Sequence, residues 1–322
     1  MITVVGGGIS GLSCALTLLR AGRRVRVLAE NLPPGTTSDR AGALCFPFRV
    51  GPRDRCLGWA EVSVAVYASQ ALDPVQPVTE VDCLVLSASP ERDIPWQMTR
   101  LGADRLRQAA PDELPPGYVS GHVVRVPLIQ PGPYLQNLMR EIGEAGGEIT
   151  RGRLERLEDA PGPLVVNCSG LGARELAADE GLFPISGHIV TVLPRGPVRC
   201  FMDENHPGGV TYAFPRPDVC VLGGTAEPGD WDLAVKPESI RSILDRTARV
   251  EPGLAGAEVL SSYVCLRPGR PEVRLEAGRL ADGRTVIHDY GHGGSGWTLA
   301  WGCAREVANL IRLREPECPE MK

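Results

Sequence analysis

The chain has 322 residues, of which 43% are hydrophobic and 23% charged, and its formal net charge is −5. This composition is typical of a globular protein, and the length predicts two domains. The slight negative charge, without a lysine or arginine tract, argues against a nucleic-acid partner or an anionic membrane surface. No apolar run reaches about 18 residues and a strand begins at Ile2, so we expect no membrane span, no secretory signal and a cytoplasmic location.

The chain opens with a pattern typical of a dinucleotide-binding unit. Residues 2–5 are β-prone, the apolar-periodic run that follows Gly11 suits a helix, and residues 25–27 suit a second strand. Between strand and helix, Gly6, Gly8 and Gly11 match the spacing GxGxxG. Glycines at these positions allow a tight turn, a close backbone approach to a pyrophosphate and close packing of helix on strand. We predict that this turn binds a dinucleotide through Gly6, Gly8, Ile9, Ser10 and Gly11.

The end of the second strand and the loop after it extend this prediction. Glu30 can accept hydrogen bonds from both ribose hydroxyls of an adenosine and would repel a 2′-phosphate, which favours FAD or NAD over NADP. Thr36, Thr37 and Ser38 follow in a loop that leaves the carboxyl edge of the predicted parallel sheet, where ligands bind. Their hydroxyls could cap a short helix or bond a diphosphate or ring carbonyl. The glycine fingerprint upstream favours the second interpretation.

Further α/β patterns occur in two later places. Residues 53–72 and 133–145 are helical in period, and Trp59 on the first of these helices is expected to be a core residue. The second helix is followed by strand-like runs at 148–150 and 163–167. The βαβ pattern therefore resumes in the middle of the chain.

Two other blocks are rich in short alternating runs. Residues 78–126 and 186–266 carry such runs between turn signals, which is typical of antiparallel sheet, and one helical run spans 237–250. We predict an α/β fold with a Rossmann-like dinucleotide-binding domain and a mainly antiparallel β substrate domain, both discontinuous in sequence. The first is assigned to residues 1–77, 127–184 and 267–322, and the second to residues 78–126 and 185–266.

Ten cysteines are scattered along the chain without a CxxC motif or a Cys/His ligand spacing. This argues against the common zinc and dithiol sites, and we predict no metal. The cysteines are interpreted as small buried hydrophobic residues in a reducing compartment. A disulfide between Cys220 and Cys265 is the alternative, because both lie in strand-like runs, but buried free thiols are favoured.

A second glycine-rich stretch precedes the last predicted helix, which spans about 299–312. Gly291, Gly293 and Gly296 also match GxGxxG, yet only one helix and a polar tail follow, so no second βαβ unit is available to hold another nucleotide. We predict instead that the amide N–H groups at this helix N-terminus face the electron-rich end of a bound cofactor.

Six motifs between residue 4 and about residue 304 form a recognisable set. In chain order they are VVGGGISGL, TTSDRAGAL, VVNCSG, TYAFPRPDVCVLGG, LRPGRPEVRLE and HDYGHGGSGWTLAWGCA. Together they resemble the D-amino acid oxidase family, which includes D-aspartate oxidase. The resemblance implies an FAD enzyme that oxidises a D-amino acid to an imino acid, which hydrolyses to a 2-oxo acid and ammonia. Molecular oxygen then reoxidises the flavin and yields hydrogen peroxide.

The resemblance also implies roles for individual residues. Arg267 matches the family arginine that holds the substrate carboxylate, Tyr212 the tyrosine that adds a hydrogen bond to it, and Gly294 the glycine whose carbonyl receives the substrate amine. The fork geometry of arginine suits such a bidentate contact. The chemistry requires an aligned substrate carbon and no protein base. Further predicted cofactor contacts are Glu30, Thr36, Thr37, Ser38, Ala43, Leu44, Gly293, Gly294, Gly296, Trp297 and Thr298.

The chain departs from the family pattern around the substrate. Larger vertebrate members carry a lid tyrosine four residues before Tyr212, where this chain has Gly208, so we expect a short lid. Ser295 and Cys45 stand where bulkier side chains are often seen, and Phe48 stands where a tyrosine may occur. A roomier, less polar pocket would favour neutral D-amino acids.

Several alternatives stay open from the sequence. Within oxidoreductases these are a D-aspartate or glycine oxidase, or an enzyme that passes electrons to an acceptor other than oxygen. A D-aspartate enzyme would need a second cation, for which Arg49 and Arg216 are candidates. A nucleotide-binding protein without turnover and an NAD-dependent dehydrogenase are the other classes. The chain is expected to be a monomer or a homodimer.

Overall fold

The structure is a computed structural model and describes residues 1–87, 95–102 and 104–314. Those residues form six α-helices, namely α1 Ile9–Arg20, α2 Arg53–Gln70, α3 Pro131–Glu144, α4 Ala173–Leu176, α5 Pro237–Val250 and α6 Gly296–Arg312. The strands are β1 Ile2–Val5, β2 Val25–Ala29, β3 Val78–Ser87, β4 Leu106–Gln108, β5 Ser120–Ile129, β6 Glu148–Arg151, β7 Leu164–Asn167, β8 Phe183–Leu193, β9 Cys200–Asp203, β10 Thr211–Pro215, β11 Cys220–Gly223, β12 Glu227–Pro228, β13 Glu258–Gly269, β14 Arg274–Arg279 and β15 Thr285–Tyr290.

One sheet has six strands in the order β14-β15-β7-β1-β2-β6. All neighbouring pairs are parallel except β14 and β15, which are antiparallel. The turns after β1, β2, β6, β7 and β15 consequently emerge at one edge of the sheet, which is where open α/β sheets bind ligands. The predicted α/β class is confirmed by this arrangement.

The second sheet has nine strands and is mainly antiparallel, and it runs β12-β8-β11-β10-β9-β3-β5-β4 with β13 paired to β8. The pairing of β3 with β9 is parallel. The strands of this sheet lie in the two blocks that the sequence assigned to the substrate domain, apart from the ends of β5, β8 and β13. The division into two domains stays a prediction.

The predicted elements match the structure best where the sequence pattern is strongest. Helix α5 has the predicted bounds, whereas α6 begins at Gly296, three residues earlier than predicted, because part of the glycine loop forms its first turn. Strand β13 continues past Cys265 to Gly269, because it stays paired with β8 over that length. This extension places Arg267 within a strand.

The core explains the apolar periodicity. Val4, Val27, Val166 and Ile287 from the six-stranded sheet are fully buried beneath helices α1 and α6. Trp59 is also buried, and its indole donates a hydrogen bond to Glu306, so its expected core position is confirmed. In the described parts of the chain, no helix has the length and apolar character needed to cross a membrane.

The cysteines of the described residues are buried and unpaired. Cys220 and Cys265 are both among them, so the favoured prediction of free thiols is confirmed and the disulfide alternative is not formed. Cys318 lies outside the described residues.

Candidate active site

The turn after β1 packs as the glycine fingerprint requires. Gly6 has a φ of +125°, and a Cβ at this position would lie 2.3 Å from the carbonyl oxygen of Cys168. A Cβ at Gly11 would lie 2.1 Å from the carbonyl oxygen of Gly6. Helix α1 therefore approaches β1 and β7 at a distance that only glycine allows. The first turn of α1 contains no acidic residue, so its positive end is available to an anion.

The hydroxyl loop after β2 is tied to both glycine turns. Ser38 Oγ accepts a hydrogen bond from the amide of Ile9 at 3.0 Å, and Ser38 O accepts one from the indole Nε1 of Trp297 at 3.1 Å. Thr36 instead bonds the Asp39 carboxylate through its amide and its hydroxyl, at 2.8 and 2.7 Å. The helix-cap interpretation thus applies to Thr36, whereas Ser38 joins the loop to the start of α1.

Glu30 emerges after β2 at the same edge of the sheet. Its carboxylate lies 3.5 Å from the guanidinium of Arg153, which follows β6, and both side chains are largely exposed. Screening by solvent makes such a pair weak, so the carboxylate can exchange Arg153 for ribose hydroxyls at little cost.

The closing glycine loop is locked to the segment that precedes α2. Ser295 Oγ accepts a hydrogen bond from the amide of Phe48 at 2.7 Å and donates one to its carbonyl at 2.9 Å. Thr298 Oγ1 donates to Phe46 O at 3.1 Å. A Cβ at Gly293 would lie 2.5 Å from Arg49 O, and one at Gly294 would lie 2.4 Å from the Phe48 ring. The loop thus needs glycine at both positions to approach this segment.

Arg267 and Tyr212 meet on the nine-stranded sheet. The Tyr212 hydroxyl lies beside the Arg267 guanidinium, and Arg267 Nη1 donates a hydrogen bond to Thr225 O at 3.1 Å. Burial raises the pKa of Tyr212 against the opposing effect of Arg267, so the phenol stays protonated. Within the described residues, no carboxylate forms an ion pair with Arg267. Its positive charge is therefore available to a ligand.

Two glycines make room for this pair. A Cβ at Gly187 would lie 2.1 Å from Arg267 Nη1, and a Cβ at Gly223 would lie 2.1 Å from Tyr212 Cζ. Sequence analysis missed both positions. The available signal was a glycine inside a strand run, which often marks close approach of another group.

A single cavity of about 440 Å³ connects these features. It is lined by most of the predicted site residues, namely Gly6, Gly8, Ile9, Ser10, Glu30, Thr36, Thr37, Ser38, Ala43, Leu44, Tyr212, Arg267, Gly293, Gly294, Gly296 and Trp297. Gly11 and Thr298 are the exceptions. Gly11 packs against Gly6, and Thr298 is buried and bonded to Phe46, so both support the lining without forming it.

Asp289 and His292 also line the cavity, although the sequence analysis gave neither a ligand role. Asp289 is fully buried. Its Oδ2 accepts hydrogen bonds from Ser10 Oγ at 2.5 Å and from Cys14 Sγ at 3.4 Å, and its Oδ1 lies 3.1 Å from His292 Nε2. Burial acts to raise the pKa of Asp289, but His292 and these hydrogen bonds outweigh it and hold that pKa below its ordinary value. The carboxylate is thus stabilised as an anion.

Potential metal-ligand atoms do occur around Asp289. Cys14 and Cys168 lie within 4.8 Å of it and of each other, and His292 and Cys303 form a second such group with it. Because both carboxylate oxygens already accept hydrogen bonds, the cluster is accounted for as a satisfied buried network. The absence of a metal stays a prediction.

Comparison with known proteins identifies the family. The model of the DAO family, described as FAD dependent oxidoreductase, matches residues 1–310. The chain belongs to this family of FAD-dependent oxidoreductases.

Two curated relatives and one solved structure illustrate the similarity. The chain is 43% identical to a D-amino-acid oxidase of Rubrobacter xylanophilus, over 95% of this chain and 94% of that protein. It is 40% identical to a D-amino-acid oxidase of Streptomyces coelicolor, over 96% of each. The crystal structure of glycine oxidase from Geobacillus kaustophilus has a similar fold, with a TM-score of 0.82 and 18% identity over 98% of this chain and 95% of that one.

FAD is the cofactor of this family, and the residues present fit it. The glycine turn and the start of α1 offer backbone amides to a diphosphate, and Glu30 stands at the end of β2 where an adenosine ribose is held in such folds. Gly293 and Gly294, before α6, line the cavity and pack closely against the segment at Phe48 and Arg49. The predicted cofactor is consistent with each of these features.

The expectation that Ser295 and Cys45 enlarge the substrate pocket is wrong. Both are buried and neither lines the cavity, because Ser295 is turned to the backbone of Phe48 and Cys45 lies in the core. Arg49 and Arg216, the candidate second cations, do not line it either. They donate to Ala226 O at 3.2 Å and Gly42 O at 3.1 Å respectively.

The two arginines beside Arg267 in sequence are held in ion pairs. Arg270 and Arg274 lie 3.1 and 3.4 Å from the Asp179 carboxylate, which also accepts a hydrogen bond from Tyr290. Their expected structural role is confirmed.

Proposed function

We propose that this protein is an FAD-dependent D-amino acid oxidase that deaminates its substrate oxidatively and yields a 2-oxo acid, ammonia and hydrogen peroxide. The observation that supports this most directly is the pairing of Arg267 with Tyr212 in the cavity that also holds the dinucleotide fingerprint. The similarity to two curated D-amino-acid oxidases supports the handedness of the substrate.

Arg267 and Tyr212 fix one end of the substrate. The guanidinium carries a charge without an acidic partner among the described residues, and the protonated phenol is a neutral donor next to it. A carboxylate can accept from both, which orients the amino acid and restricts its rotation. The carbonyl of Gly294, in the loop packed on Phe48, is our candidate acceptor for the substrate amine.

Bound FAD supplies the acceptor for the two electrons that leave the substrate Cα–H bond, and oxygen reoxidises it. The chain contributes positioning and exclusion of water rather than a base. Among the described residues His292 is the histidine that lines the cavity, and its Nε2 faces Asp289. His288 is buried beside Asn167, and burial lowers its pKa to about 4. His188 is bonded to Thr225 Oγ1 through Nδ1 and to the Lys236 amide through Nε2, and burial lowers its pKa as well. None of these three histidines is placed as a free base beside Arg267.

We further propose that the preferred substrates are neutral D-amino acids. The cavity walls near the Arg267–Tyr212 pair are apolar and consist of Leu44, Phe48, Ile189, Met202, Val210 and Phe214. Besides Arg267, the arginine among the described lining residues is Arg153, which faces Glu30. A side-chain carboxylate would therefore be buried against apolar walls without a cation, which is costly.

The test is anaerobic addition of D-alanine, D-valine, D-aspartate and glycine, each followed by its L form where one exists, to the purified holoenzyme. We expect the flavin absorbance to bleach with neutral D-amino acids and to stay unchanged with L forms. Readmission of air should restore it with one hydrogen peroxide per turnover. Bleaching by D-aspartate alone, by glycine alone, or without peroxide on readmission of air would each contradict part of the proposal. A nicotinamide cofactor released on denaturation would contradict all of it.

A cytoplasmic location and a monomeric or homodimeric state complete the proposal. The location is supported by the buried unpaired thiols of the described residues, which suit a reducing compartment.

A further inference from the structure

Arg246 of helix α5 is an arginine buried outside the cavity, with 6% of its surface exposed. Its guanidinium makes four hydrogen bonds: Nε to Thr211 Oγ1 at 3.0 Å, Nη1 to Ser242 Oγ at 2.6 Å, and Nη2 to Val210 O at 3.3 Å and Gly224 O at 3.0 Å. All four acceptors are neutral, and in the described part of the chain no carboxylate lies within 4 Å of it. A buried charge in such surroundings is held by these bonds alone.

Three of the four acceptors lie close in sequence to Tyr212, which lines the cavity, or to Thr225, which bonds Arg267. Val210 and Thr211 directly precede Tyr212 at the start of β10. Gly224 directly precedes Thr225, whose carbonyl accepts the hydrogen bond from Arg267. Strands β10 and β11 pair Tyr212 with Gly223 at this end. One planar guanidinium therefore spans the ends of both strands.

Gly208 belongs to the same arrangement. A Cβ at Gly208 would lie 2.7 Å from Arg246 Cδ, so a side chain at this position and the observed conformation of Arg246 exclude each other. Position 208 is where the sequence analysis noted a glycine in place of a lid tyrosine. The chain thus uses the space beside residue 208 for an arginine from behind the sheet.

We propose that Arg246 is a positioning residue for the Arg267–Tyr212 pair, an inference that rests on the proposed function. The amide of Gly224 donates to Val210 O, and the rigid fork of the guanidinium braces the same two segments, 210–211 and 224, from outside the cavity. Tyr212 follows the first segment, and the acceptor of Arg267 follows the second. A shift of either segment changes the distance between the phenol and the guanidinium, and a misplacement of about 1 Å at a reacting geometry can lower a rate about a hundredfold.

The test compares Arg246→Met with a matched control, Arg284→Met, in the FAD-loaded enzyme. Arg284 also holds backbone carbonyls, at Ala160 and Gly162 with distances of 2.6 and 2.7 Å, but at the six-stranded sheet. The probe is propanoate, which has the carboxylate of alanine without the amine and cannot be deaminated. Its dissociation constant is read from the change in flavin absorbance, and the KM for D-alanine and the melting temperature are measured alongside.

We expect Arg246→Met to raise the propanoate dissociation constant and the KM about tenfold or more at unchanged FAD content. Arg284→Met should lower the melting temperature while the dissociation constant changes less than about twofold. Thr211→Val removes one hydrogen-bond acceptor and leaves the arginine charge, and it should raise the propanoate dissociation constant about threefold. This variant tests the inference if Arg246→Met does not fold.

An unchanged dissociation constant in folded Arg246→Met or Thr211→Val overturns the inference, and so does an equal rise in Arg284→Met. Failure of the FAD-loaded wild type to bind propanoate overturns the proposed function and this inference with it.

Discussion

Replacing Arg267 by alanine tests the carboxylate contact directly. The guanidinium is half-buried, donates a hydrogen bond to Thr225 O, lies beside the Tyr212 hydroxyl, and lacks an acidic partner among the described residues. Removing one member of a partly buried charge pair typically costs about 3 kcal/mol, which corresponds to about a 150-fold fall in kcat/KM. The fall in kcat/KM should depend on the charge of the substrate, because a substrate without a carboxylate cannot form an ion pair with Arg267.

The assay therefore compares D-alanine with D-alaninamide, whose carboxylate is replaced by a neutral amide. In the wild type we expect D-alanine to be strongly preferred, and in Arg267→Ala we expect the ratio of the two kcat/KM values to fall by about two orders of magnitude. Arg49→Ala is the control, because Arg49 is outside the cavity lining and donates to Ala226 O. A ratio that is the same in wild type and Arg267→Ala would refute the contact.

Further predictions concern the cofactor turn and pH. Gly8→Val should yield apoprotein, measured as flavin per chain, because its side chain enters the turn; wild-type occupancy would count against the assignment. Gly11→Ala should destabilise the fold by about 3 kcal/mol, since its Cβ would lie 2.1 Å from Gly6 O. Gly143→Ala, whose Cβ would meet no atom within 4 Å beyond the adjacent backbone of its own helix, should gain up to about 1 kcal/mol in a urea titration. Equal effects would contradict the packing argument. Burial raises the pKa of Glu204 to about 7 from 4.5, so its contribution to stability is full below pH 4.5 and is lost as pH rises through 7. Relative to wild type, Glu204→Gln should therefore gain about 3 kcal/mol between pH 4.5 and 8, and a constant difference would contradict the shift.

Much of the cofactor region was predictable because its signals are local. The β-prone residues 2–5, the glycines of the first turn and Glu30 lie within one βαβ unit, where sequence spacing translates directly into spatial spacing. The bounds of α5 followed from its apolar period for the same reason. The closing loop was assigned to the cofactor from its place before a helix, and the structure puts it in the same cavity.

The substrate side was predicted from a resemblance and not from spacing, and there the errors occurred. Ser295 and Cys45 were expected to shape the pocket, but their orientation depends on contacts with a segment almost 250 residues away in one case and with the core in the other. Gly187 and Gly223 had no apparent role until β8 and β11 were seen to lie behind Arg267 and Tyr212.

The sequence by itself determined most of the elements, the cofactor class and the family, because each is encoded by residues close together in the chain or by motifs in a fixed order. Only the tertiary structure decided which distant residues meet: Asp289 with Ser10, Arg153 with Glu30, and Arg246 with the ends of β10 and β11. These meetings depend on strand order and helix packing. Short-range periodicity does not specify either, since the same local pattern is compatible with many pairings of strands.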